Sequence, residues 1–245
     1  MDYGSMPLDG QNQPKPPGKT PEIGALRALL ARSAPAATGQ PCPLGLPALD
    51  AALGGGLPTG CLQEVIGGEG TAAAGFCAFL LGCLATRENA GRGVLWGWIG
   101  EGNLYPPGLA SFGLDPARVI LLSAPNSAEL LWAMEEGLRS PALAGVVMEV
   151  QRLDLVASRR LQLAAATGGV SGFLLTRGRP ASVSAAALRW RVGNLPEDRW
   201  QVVLERRRGG RPGAWILEKD DETDRLAVAA ELADGSLEPA PAAAG

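Results

Sequence analysis

The chain has 245 residues, 46% of them apolar, a formal net charge of −3 and no histidine. That length accommodates one sizeable domain with tails, and no apolar run reaches the length of a membrane span, so a soluble globular protein with no membrane partner is expected. The missing histidine excludes His-based triads and His-containing zinc sites, and the four cysteines, Cys42, Cys61, Cys77 and Cys83, form no C-x-x-C pair, so no metal site is expected.

Residues 1–20 are rich in Pro, Gly, Gln and Asn without apolar periodicity and read as a disordered tail. They show no basic patch followed by an apolar core, so no secretory signal is visible and a cytoplasmic location is expected. Residues 21–43 comprise a helix and a linker. In IGALRALLAR, Ile23, Leu26, Leu29 and Leu30 recur at helical spacing, and this helix either packs on its own core or docks on a partner.

A core domain is expected over residues 44–220. Leu62 to Ile66 read as a short buried strand, followed by a glycine-rich turn and, from Ala72, an apolar helix. This is the strand–loop–helix context of a phosphate-binding loop. Aligned to G-x-x-x-x-G-K-[ST], Gly67 takes the first glycine position and Gly68, Glu69, Gly70 and Thr71 the intervening ones. Ala72 then falls on the second glycine, Ala73 on the lysine and Ala74 on the hydroxyl residue. A shift of register to Gly70 and Gly75 puts Phe76 and Cys77 at the functional positions and restores nothing. Without a lysine for the β- and γ-phosphates or a hydroxyl for magnesium, only backbone N–H groups remain to meet a nucleotide. Neither ATP nor magnesium is expected as a cofactor, and no enzymatic activity follows from the loop.

The next elements alternate. Residues 92–99 read as a strand, LDPARVILLSAP as another, and NSAELLWAMEEGLRS as a helix with capping-box spacing at Asn126 and Glu129. AGVVMEV is a buried strand of the parallel-sheet type ending near Glu149; then come a helix from Leu153 to Ala166 and a strand from Ser171 to Thr176. Ala187 to Val192, Arg199 to Glu205 and Ala214 to Glu218 read as antiparallel strands extending the sheet at its edge. Residues 221–245 turn acidic and then Ala/Pro-rich and read as a flexible tail. The fold class is therefore α/β, with a mainly parallel central sheet, helices on both faces and a C-terminal antiparallel extension.

Two arginine groups stand out: Arg177, Arg179, Arg189 and Arg191, and then Arg206, Arg207, Arg208 and Arg211 in the last hairpin. They read as a solvated hairpin tip, as a protein interface or as a weak DNA contact. Trp190, Trp200 and Trp215 nearby are either core residues or stacking platforms.

The segment carrying Leu46, Leu49, Asp50, Leu53, Gly54, Gly56, Leu57, Pro58 and Gly60 resembles the lead-in to the phosphate-loop strand of RecA and related recombinase cores. The resemblance continues in order over roughly residues 45–180. It implies that Glu101 occupies the place of a water-activating glutamate, Glu149 the end of the Walker B strand, and Thr176 the region of a phosphate-sensing residue. With Ala74 opposite, Glu149 lacks its companion ligand, so both glutamates are expected to be vestigial. The loop that places filament DNA is shortened here.

With the ALRWRV segment and the RWQVVLERRRGGRPGAWILE hairpin added, the chain is similar to the ImuA family. That resemblance implies a non-catalytic adaptor in SOS-induced, error-prone translesion DNA synthesis. The partners it implies are ImuB, an inactive Y-family polymerase relative, RecA, and a damage-inducible replicative-type polymerase. The alternatives are a residual nucleotide-dependent switch or ATPase using Glu101 and Glu149, and a DNA-binding module acting through the arginines.

Overall fold

The computed structural model describes residues 39–68, 72–86, 91–102, 104–178, 184–207, 211–220 and 225–232. The expected helix carrying Ile23, Leu26, Leu29 and Leu30 lies outside them, as do Glu69, Gly70, Thr71, Arg179 and Arg208.

A lead-in segment with the short helix α1 (Pro47–Ala52) precedes β1 (Leu62–Gly67). Asp50 shapes this segment by accepting hydrogen bonds from the backbone N–H groups of Leu44 at 2.7 Å and Gly45 at 3.1 Å. Then follow α2 (Ala72–Thr86), β2 (Gly93–Ile99), two 3₁₀ turns (Pro106–Phe112 and Pro116–Arg118), β3 (Val119–Ala124), α3 (Ser127–Arg139), β4 (Leu143–Glu149), α4 (Leu155–Gly168) and β5 (Ser171–Arg177). Strands β6 (Leu188–Asn194), β7 (Trp200–Arg207), β8 (Gly213–Asp220) and β9 (Arg225–Leu232) complete the chain's described elements.

The strands form one sheet in the order β3-β2-β4-β5-β1-β6-β7-β8-β9. From β3 to β6 every pairing is parallel, and from β6 onward every pairing is antiparallel. Alternation along each strand divides the core in two. Val65, Trp96, Phe173, Trp190, Val202 and Trp215 face α2 and the lead-in segment, whereas Leu62, Val146, Met148 and Leu174 face α3 and α4.

Local signals fix the helix ends. The Asn126 side chain accepts from the Glu129 N–H at 3.0 Å, and the Glu129 carboxylate answers through the Asn126 side-chain amide instead of the backbone N–H. Asp154 caps α4 by accepting from Ala157 N–H at 2.7 Å, and Gly169, with φ of 69°, ends that helix in the left-handed region. Helix α2 is apolar on most of its circumference because it lies between the sheet, the lead-in segment and the first 3₁₀ turn, and Phe76, Leu80, Leu81 and Leu84 are all buried.

The closest approach is at Gly82, where a Cβ would lie 1.8 Å from the backbone carbonyl oxygen of Phe112. Alanine favours helices over glycine by about 1 kcal/mol, but here the clash is with backbone and dominates. Gly82→Ala is expected to lower stability by about 2–3 kcal/mol in urea denaturation.

Two features depart from the sequence reading. Residues 187–192 read as the first of three antiparallel strands; β6 is antiparallel to β7 as expected, but it also runs parallel to β1. The residues just before β6 lie on the α4 side, where Ala185 N–H donates to Ser158 Oγ at 3.1 Å and Ala186 packs in the α3/α4 cluster. Periodicity marks a strand and its faces but not the direction of its neighbours. Second, β9 occupies residues 225–232 within the stretch read as a tail. Its alanines have weak strand propensity, and the exposed edge of β8 supplies the pairing that the sequence alone does not announce.

Candidate functional site

The carboxyl ends of β1, β4 and β5 open into a cleft of about 460 Å³. Ligand crevices in open α/β sheets lie at this end of the strands. Its floor is Gly67 and Gly68 at the exit of β1 and the first turns of α2, with Ala73, Ala74, Gly75 and Ala78. Glu149 and Arg177 enter from the ends of β4 and β5, and Tyr105, Leu109 and Phe112 come from the segment after β2.

Ala73 and Ala74 lie in the first turn of α2 and line this cleft together with Gly67 and Gly68. Ala73 is buried against Gly67, where an added Cβ would come within 2.8 Å of its methyl group. The cleft wall formed by the start of α2 thus presents the methyl groups of Ala73 and Ala74 and no charged or hydroxyl side chain. Burial pushes the thiol of Cys77, one turn further along the helix, far above its ordinary pKa, and the charge of Glu149 adds to the shift. Cys77 is therefore a core thiol and not a nucleophile.

Trp200, from β7, is a cleft residue that periodicity places only on an apolar strand face. A Cβ on Gly75 would lie 2.7 Å from its ring, so glycine at that position lets the indole close over the first turn of α2. Phe112 packs against it with ring centroids 5.8 Å apart. The aromatic pair forms the wall of the cleft beside the first turn of α2.

The two acidic positions are not brought together. Glu149 lines the cleft and accepts a hydrogen bond from Trp96 Nε1 at 3.2 Å, whereas Glu101 is exposed in the loop after β2 and does not line it. Thr176 is buried and alternates away from the cleft-lining Leu175 and Arg177.

The arginines do not assemble into one surface either. Arg189 Nε meets Glu64 Oε2 at 2.7 Å, with side chains 13% and 3% exposed respectively. Arg206 donates to the carbonyl oxygens of Ser184 at 3.2 Å and Ala186 at 2.8 Å, and Arg191 pairs with Glu205. Arg207 reaches the opposite face and donates to the carbonyl oxygen of Ala52 at 2.6 Å, tying β7 to α1. Arg177 and Arg211 are exposed. Trp190 and Trp215 belong to the core, and Trp190 meets Phe76 edge-on at 5.3 Å. The pairing partners of Arg189 and Arg206 lie far away in sequence, which is why a charge count alone presents them as a patch.

Among the described residues, no helix is long and apolar enough to cross a membrane, and no group of three or more Cys, Asp or Glu side chains is placed to hold a metal. No family model matches the chain. The fold is similar to the crystal structure of the RadB recombinase, with a TM-score of 0.59 and 20% identity over 76% of this chain and 98% of that one. Protein ImuA from two strains of Caulobacter vibrioides is 38% identical over 216 aligned residues, covering 76% of this chain and 87% of the relative. Identity at this level, over this much of both chains, places the protein in the ImuA family.

Proposed function

We propose that this protein is a non-catalytic, cytoplasmic adaptor in SOS-induced, error-prone translesion DNA synthesis. In this reading it bridges an ImuB-type inactive Y-family polymerase relative and RecA, alongside a damage-inducible replicative-type polymerase. The observation that carries the reading is the cleft itself: the recombinase architecture is kept, while Ala73 and Ala74 replace the phosphate and metal chemistry and Trp200 closes over Gly75. Family membership supports the cellular setting. The protein then works by presenting surfaces, with its sheet as a rigid scaffold.

A second reading, a residual nucleotide-dependent switch, draws on Glu149 and Arg177, both of which line the cleft. It requires a cation from a neighbouring subunit in place of the absent lysine. Direct DNA binding draws less support, because Arg189, Arg191, Arg206 and Arg207 all have intramolecular partners.

The test is calorimetric titration of the purified protein with magnesium–ATP, then with ImuB-type and RecA partners. Saturable partner binding without heat from ATP is the expected result. Micromolar ATP binding, with turnover abolished by Glu149→Gln, would replace the adaptor reading with the switch.

A further inference from the structure

Two thiols outside the cleft meet where the lead-in segment crosses α2. Cys42 Sγ lies 3.4 Å from the carbonyl oxygen of Cys83, and Cys83 Sγ lies 3.7 Å from the carbonyl oxygen of Leu44. Each sulfur therefore rests against the stretch of backbone that carries the other. Both stretches are held in place. The N–H of Cys42 donates to the Leu57 carbonyl oxygen at 2.8 Å, and the Leu57 N–H returns a bond to the Cys42 carbonyl oxygen at 2.7 Å. The Asp50 carboxylate fixes Leu44 and Gly45 just beyond. On the other side, the close approach of Gly82 to the Phe112 carbonyl oxygen seats α2 directly beside Cys83. Side-chain rotation is then the motion that brings the two sulfurs into bonding geometry. All four cysteines are in the thiol form, but only Cys83 is half-buried; Cys42 is 8% exposed. Cys77 is fully buried earlier on the same helix, and Cys61 is fully buried with its Sγ on the Pro58 carbonyl oxygen at 3.4 Å.

We propose that Cys42 and Cys83 form an oxidative modification site, closing an intramolecular disulfide that staples the lead-in segment to α2. The oxidant is a low-molecular-weight disulfide of the glutathione class. The Cys83 thiolate, on the half-buried side, attacks one sulfur of this disulfide, forming a mixed disulfide and releasing one small thiol. The Cys42 thiolate then attacks the Cys83 sulfur, forming the protein disulfide and releasing the second small thiol. Two protein thiols thus lose two hydrogens, and one small disulfide is reduced to two thiols. Proximity favours the second step, because the attacking sulfur is already held beside its target. The bridge joins positions 41 apart in the chain and so constrains the unfolded state. Its partly accessible sulfur leaves it open to reduction, the behaviour of disulfides that form transiently in reducing compartments. The inference is independent of which partners the protein binds.

The test incubates the reduced full chain with oxidised glutathione under native conditions, alkylates the remaining thiols in urea and maps the protein by mass spectrometry. Chymotrypsin suits the digestion, because Leu53, Phe76 and Phe79 separate the four cysteines. The expected product is a pair of peptides joined through Cys42 and Cys83, lighter by two hydrogens, with Cys61 and Cys77 alkylated. The bridged protein should unfold at a urea midpoint about 1 M above that of the reduced protein, and dithiothreitol should restore the lower value. Cys42→Ser and Cys83→Ser should each abolish both the bridge and the shift, while Cys61→Ala leaves both in place. The wild-type map is decisive even where a variant fails to fold. Unchanged thiols, a glutathione adduct on Cys83 that does not resolve, a bridge to Cys61 or Cys77, or a link between two chains overturns the proposal. A bridge that leaves the urea midpoint unchanged or lowers it overturns the staple.

Discussion

Arg189→Ala is expected to destabilise the protein by about 3–5 kcal/mol, measured as a lower midpoint in urea denaturation. Glu64 sits in the middle of β1, a strand buried along its whole length, and its Oε2 atom accepts from Arg189 Nε at 2.7 Å and from Ser184 Oγ at 3.3 Å. Removing the guanidinium leaves a carboxylate in the core with a hydroxyl as its remaining described partner. The cost is mainly that of an uncompensated buried charge, so replacing both members, Glu64→Leu with Arg189→Met, should recover much of the loss. Arg191→Ala provides the contrast. Its pair with Glu205 is about a third exposed on the arginine side, so its loss should cost no more than about 1 kcal/mol. If Arg189→Ala and Arg191→Ala cost the same, the buried pair does not have this structural role.

Trp190→Ala is expected to cost about 3–5 kcal/mol, read as a lowered thermal midpoint. The side chain is fully buried, packs edge-on against Phe76 of α2 and donates from Nε1 to Gln63 Oε1 at 3.0 Å. Truncation therefore opens a cavity between α2 and the sheet and also leaves the buried Gln63 carbonyl without its indole donor. Trp190→Phe separates the two contributions, because it keeps an aromatic ring and removes the donor, for an expected cost of about 1–3 kcal/mol. Trp200→Ala, at the half-buried cleft wall, should destabilise less and widen the cleft. If Trp190→Ala is tolerated as well as Trp200→Ala, β6 does not anchor α2 as described.

Much of the architecture is legible in the sequence because it depends on neighbours close in the chain. The alternating strands and helices from residue 62 to 177 follow from apolar periodicity, and the cap at Asn126 follows from a short polar side chain before an apolar helix, whereas the helix read from Leu153 starts two residues later, after the cap Asp154. The grouping of Gly67, Ala73 and Ala74 is legible for the same reason: they are a few residues apart, at the end of a strand and the start of a helix, and they line one cleft.

What the sequence leaves open involves contacts between distant residues. Arg189 and Glu64 are 125 positions apart, and only the insertion of β1 between β5 and β6 makes them neighbours, converting a charge that reads as surface into a buried pair. Trp200 is apolar on a strand in any reading, but it becomes a wall of the cleft because the β6–β7 pairing carries it to Gly75 of α2. The alanine-rich β9 becomes a strand because β8 offers it backbone partners. By itself the sequence determined the element pattern and the small apolar character of the start of α2, since both are written in local spacing and side-chain identity. Only the tertiary structure decided which arginines are internal ties and which apolar side chains stay outside, because burial and pairing are set by the order of strands in the sheet.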